Sequence, residues 1–92
     1  MNSKDEFYKN GQRVFEISDS IKTIFYKSGA VKAKGAFIDS KMEGEWRFYR
    51  ETGELWQVGM LKRDLKHGRW IRYSKEGNIE YDAEFREGKL VK

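Results

Sequence analysis

Arg47, Arg50, Arg69 and Arg72 stand among Trp46, Phe48, Tyr49, Trp70 and Tyr73, the setting in this 92-residue chain whose side-chain types most invite chemistry. Cations interleaved with aromatic rings can neutralise phosphates and stack on the bases of a single-stranded nucleic acid. The same rings recur at fixed intervals, so packing between neighbouring elements already accounts for them, and nucleic-acid binding is disfavoured. Other reactive groups are few. His67 is the only histidine and is expected as an exposed residue of a Lys-His-Gly turn. A general base needs a positioned partner and zinc needs three or four ligands. With no cysteine there is no disulfide framework, thiolate metal site or thiol nucleophile. Asp39 and Asp64 occupy corresponding loops as turn formers, without the spaced acids of a calcium loop. No glycine-rich turn leads into a helix followed by Lys and Ser or Thr, so there is no phosphate cradle. Neither an enzyme nor a cofactor or metal is expected.

The elements that carry these residues are repeats. Gly44-Glu45-Trp46-Arg47-Phe48-Tyr49 returns as Gly68-Arg69-Trp70-Ile71-Arg72-Tyr73, and Gly53 as Gly77, all at a shift of 24. Phe25-Tyr26-Lys27-Ser28-Gly29 reads as an earlier copy lacking one residue before its turn glycine. Phe7-Tyr8-Lys9-Asn10-Gly11 is a degenerate one, only 18 residues before Gly29. Each unit has the form strand, Tyr-x-x-Gly or Tyr-x-x-x-Gly turn, strand, longer polar loop ending in another glycine. The expectation is all-β: antiparallel hairpins in one curved, twisted sheet, with strands near 22–27, 30–38, 45–50, 54–62, 69–74 and 78–86. Residues 1–20 form a degenerate N-terminal hairpin or cap, and 21–92 the repeats of one domain.

Strand side chains alternate between faces. Val31, Ala33, Gly35 and Phe37 should share one face with Leu55, Gln57, Gly59 and Leu61, and with Ile79, Tyr81, Ala83 and Phe85. The small residues Gly35, Gly59 and Ala83 leave slots for Trp46 or Trp70. The other face carries Lys32 and Lys34, or Glu80, Asp82 and Glu84, and should be wet. The middle copy breaks that rule with Trp56, Val58 and Met60. Either a terminal segment folds over them, or they anchor a protein partner with Arg47 and Arg72 flanking. Homodimerisation would be another way to cover an apolar face, and the charges Glu80, Asp82, Glu84, Arg86 and Glu87 discourage edge pairing.

Hydrophobic residues make up 38% and charged residues 37%, which suits a thin, solvated sheet, and 15% aromatic content excludes a disordered chain. The net charge of +4 is spread over all repeats, with no basic tail, polybasic cluster or amphipathic helix, so membrane association is disfavoured. The charged N-terminus reads as neither a signal peptide nor a span, and a cytoplasmic address is expected.

Phe48-Tyr49-x-x-x-Gly53-x-Leu55 with Gly59, followed by Lys66-His67-Gly68-x-Trp70-x-x-Tyr73, resembles the variant MORN repeat of bacterial proteins of the YwqK antitoxin type, over residues 21–92. The resemblance implies an elongated interaction scaffold without catalytic residues, and an antitoxin or immunity protein that binds a cognate toxin. The alternatives are a binder of nucleic acid or anionic lipid surfaces, and an oligomerisation scaffold.

Overall fold

The computed structural model describes residues 6–92. Eight strands follow one another in a single antiparallel meander: β1 (Phe15–Ser18), β2 (Ile21–Phe25), β3 (Val31–Ile38), β4 (Lys41–Tyr49), β5 (Leu55–Lys62), β6 (Leu65–Tyr73), β7 (Ile79–Arg86) and β8 (Lys89–Leu90). The radius of gyration is 14.3 Å, against about 12 Å for a compact chain of this length. The molecule is elongated because each strand finds partners only in its sequence neighbours.

Two kinds of turn alternate. At one end, Tyr26, Arg50 and Ser74 each open a turn whose glycine, Gly29, Gly53 or Gly77, returns an N–H to that residue's carbonyl at 2.8–3.0 Å. Tyr26 thus stands where Arg50 and Ser74 stand, and Phe25 where Tyr49 and Tyr73 stand. The upstream copy lacks no residue: matching tyrosine to tyrosine in the sequence shifts the alignment by one. At the other end, the expected long polar loops are two-residue turns, Asp19-Ser20, Asp39-Ser40, Arg63-Asp64 and Glu87-Gly88, with both residues at positive φ. That mirror-image turn matches the right-handed twist of the strands. β4 and β6 therefore begin four residues earlier than the polar composition of their first turns suggests.

Pairing across the sheet places Lys22, Gly35, Trp46, Gly59, Trp70 and Ala83 in one row on one face. The indole of Trp46 lies flat on Gly35 and donates to the carbonyl of Ala36 at 2.9 Å. Trp70 repeats the arrangement on Gly59, donating to Met60 at 2.8 Å. The expected slots are filled as the small residues require. Ala33, Trp46, Leu61 and Trp70 form the buried core, with Ile24, Met42, Phe48 and Phe85 packed against it. A single layer hides a tryptophan completely because it bends: two extra residues enter β4 between Gly35 and Ala36, and β6 is irregular at the equivalent place. Lys22 lies over Phe15 and Phe37, and Lys66 over Trp70 and Phe85, each ammonium 4.4–4.8 Å from the ring centres. Their stems and charges roof the apolar face at both ends.

Candidate functional site

The opposite face owes its character to one recurrent irregularity. β3, β5 and β7 each carry an extra residue, Lys32, Trp56 and Glu80, at which the pairing with the preceding strand shifts. The pairs beyond it are Phe25–Val31, Tyr49–Leu55 and Tyr73–Ile79. Since Phe25, Tyr49 and Tyr73 each follow a residue of the tryptophan face, Val31, Leu55 and Ile79 belong to the other face. This corrects their expected placement with Ala33, Gly35 and their equivalents: an extra residue inverts every side chain beyond it.

An apolar belt results, running Phe25, Val31, Tyr49, Leu55, Tyr73, Ile79 across six strands. Ile79 is 55% exposed and the other five are half-buried. The next row inward reads Thr23, Lys34, Arg47, Val58, Ile71, Asp82. Trp56 and Val58 are half-buried and Met60 is exposed. All described strands lie in one sheet, so no described strand packs over Trp56 as a second layer. Two clefts open into the belt. Val31, Lys34, Tyr49 and Gly53 line one of about 310 Å³; Leu55, Tyr73, Gly77 and the turn around them line its counterpart of about 280 Å³. Val31, Tyr49 and Gly53 become Leu55, Tyr73 and Gly77 on adding 24, so the clefts are the same site in successive repeats.

The polar groups are distributed unevenly. Lys34 and Arg47 are direct cross-strand partners with like charge, and both are exposed. Arg47 is held by Glu45 at 2.7 Å, and Glu54 accepts a hydrogen bond from Thr52. The Glu45 hydrogen bond, then its charge, raises the Arg47 pKa above its ordinary value. Arg69 makes a forked contact with Asp82, at 3.0 and 2.7 Å. Of the five expected contact residues, Arg47, Val58 and Met60 share this face with Trp56. Arg72 does not join them: it lies on the tryptophan face opposite Gln57, its guanidinium 4.7 Å from the Tyr81 ring. Sequence reading missed Tyr49, Leu55 and Tyr73, whose 24-residue recurrence was visible but whose face depends on the bulge.

His67 is a half-buried residue of β6, not an exposed turn residue, and its Nδ1 accepts the backbone N–H of Glu87 at 3.2 Å. Glu43, 24 residues earlier, accepts the N–H of Arg63 at 3.2 Å. Both side chains hold the next hairpin's tight turn in place. At the opposite end, Tyr8, Tyr26 and Arg50 donate to the carbonyls of Phe25, Tyr49 and Tyr73 at 2.7–2.9 Å. The β4–β5 and β6–β7 hairpins are therefore clasped to each other at both ends. Among the described residues no cluster of His, Asp or Glu could hold a metal ion, and no helix is long and apolar enough to cross a membrane.

No curated protein and no solved structure matches the chain. Residues 42–62 and 66–87, the β4–β5 and β6–β7 hairpins, each match the MORN repeat variant. The clasped hairpins at the centre of this sheet are accordingly similar to the MORN repeat variant, over just under half of the chain.

Proposed function

We propose that the chain is a non-enzymatic protein-binding module, acting as a cytoplasmic antitoxin or immunity protein that neutralises a cognate bacterial toxin by direct contact. One observation carries the binding reading: the face opposite the tryptophans bears a continuous apolar belt, with Trp56, Val58 and Met60 beside it and, among the described residues, no second layer of strands upon it. Contiguous apolar surface of this kind marks contact sites, and a half-buried tryptophan is the side chain that most often dominates their energy. The toxin as partner rests on the likeness of the repeats to those of antitoxin-type proteins. The exposed Lys34–Arg47 pair favours an acidic contact surface on that partner.

The test is capture of a stoichiometric partner by the tagged chain from native lysate, at moderate salt with nuclease added. The captured protein should arrest growth when expressed alone. Co-expression of the wild-type chain should relieve the arrest, and co-expression of Trp56→Asp should not, although the variant remains folded. Loss of the captured material on nuclease treatment would defeat the proposal, as would relief of arrest by the variant.

A further inference from the structure

Resting on the reading of this face as a protein-binding surface, we propose that the paired clefts take an extended, polyproline-type peptide segment of the partner, with apolar residues three apart and an acidic residue between them. The two clefts are one repeat apart, which is two interstrand steps, or about 9.6 Å. A polyproline II helix rises about 3.1 Å per residue with three residues per turn, so it presents equivalent side chains about 9.3 Å apart. A β-strand repeats a face at about 6.7 Å or 13 Å. An α-helix comes near only across seven residues, at about 10.5 Å, on a body about 10 Å wide that sits poorly between two turns.

The lining suits such a segment. Tyr49 with Val31 and Tyr73 with Leu55 line the clefts with one aromatic and one aliphatic side chain each, beside the Gly53 and Gly77 turns. Aromatic-lined slots are how polyproline segments are recognised, because their conformation is already fixed and little entropy is lost. Each cleft, near 300 Å³, holds one proline or leucine side chain with room for its backbone.

Charge sets the direction. The first cleft is rimmed by Lys34, whose cross-strand neighbour is Arg47, and like charges directly opposite repel. Glu45 compensates only Arg47. The second cleft has Glu54, Lys75 and Glu76 at its rim. An acidic side chain following the residue in the first cleft would lie over Lys34 and Arg47 and remove that repulsion.

The probe is a synthetic octapeptide, Pro-Pro-Leu-Asp-Pro-Leu-Pro-Pro, titrated to millimolar concentration against the full chain while backbone amide resonances are followed. Its control, Pro-Pro-Leu-Asp-Pro-Pro-Leu-Pro, spaces the leucines four apart. The expected result is saturable shifts at Tyr49, Gly53, Tyr73 and Gly77, at least tenfold weaker binding of the control, and at least tenfold loss on Tyr73→Ala. A charge-reversed Lys34→Glu/Arg47→Glu chain, altered only at exposed positions, should prefer the octapeptide with Lys in place of Asp. Equal binding of both spacings, shifts confined to the tryptophan face, or no shifts at all would overturn the inference. If the captured partner still binds Tyr49→Ala and Tyr73→Ala chains yet is lost with Trp56→Asp, the protein-binding reading stands and the peptide site falls.

Discussion

Tyr26 and Arg50, 24 residues apart, are unlike side chains with one task. The phenol donates to the carbonyl of Tyr49 at 2.7 Å and the guanidinium to that of Tyr73 at 2.9 Å, each tying its turn to the end of the next hairpin. Tyr26→Phe removes one partly buried hydrogen bond and should cost about 1 kcal/mol. Arg50→Ala also strips packing from beneath the turn and should cost more, about 2 kcal/mol. Urea unfolding followed by tryptophan fluorescence would show both as lower midpoints at constant slope, and an unchanged Tyr26→Phe midpoint would remove the clasp from the account.

The tryptophan seats give a sharper result. A Cβ on Gly35 would lie 2.4 Å from the Trp46 ring, and one on Gly59 2.0 Å from that of Trp70. Aromatic carbons clamped in a core do not yield by such distances. Gly59→Ala should therefore cost about 3 kcal/mol, comparable with truncating the buried ring itself by Trp46→Ala at about 3–5 kcal/mol. Thermal melts decide it, with a red-shifted emission in Gly59→Ala reporting the displaced indole.

Asp39 and Ser40 form their turn at φ 53° and 64°, where a side chain costs energy. Replacing the pair by Asn-Gly should raise stability by about 1 kcal/mol, since that dipeptide favours the mirror-image turn. The same exchange at Arg63-Asp64 should gain less, because Asp64 Oδ1 accepts the Met42 N–H at 2.7 Å. Comparing the two melting temperatures separates turn preference from that side-chain contact.

Acid should weaken the sheet through Asp82. The hydrogen bonds from Arg69 depress its pKa below the ordinary 3.8, with charge attraction adding to them. A depressed carboxyl contributes stability that is present above its unfolded-state value and is lost as the pH falls through the folded one. Between pH 7 and pH 3 the wild-type urea midpoint should drop further than that of Asp82→Asn. The exposure of the pair makes the difference small and sensitive to salt.

The repeat period, the all-β class and the glycine seats were legible because each is written in residue types at constant spacing. The face of Val31, Leu55 and Ile79 was not. Alternation holds only along an unbroken strand, and the bulge at Lys32, Trp56 and Glu80 is a property of pairing, with no residue type in common. Tyr26 misled for a related reason, since a phenol and a guanidinium reach equivalent carbonyls in successive repeats. The tight turns were hidden because Asp-Ser and Arg-Asp carry none of the Asn-Gly signal that marks such turns. Arg72 was grouped with Arg47 by composition, although one alternates with Phe48 and the other with Ile71 on opposite sides of the sheet.

Because each described strand pairs only with its sequence neighbours, the sheet is a zipper without a central knot. Opening at either end exposes one hairpin while the remainder keeps its contacts, as expected of linear arrays. Amide hydrogen exchange should then be graded along the sequence, slowest around Trp46 and Gly59 and faster toward both edges, instead of uniform across the fold. The apolar belt spans that gradient, so a ligand bridging two repeats would act as a splint, slowing exchange in the hairpins it joins while the edge beyond them frays as before.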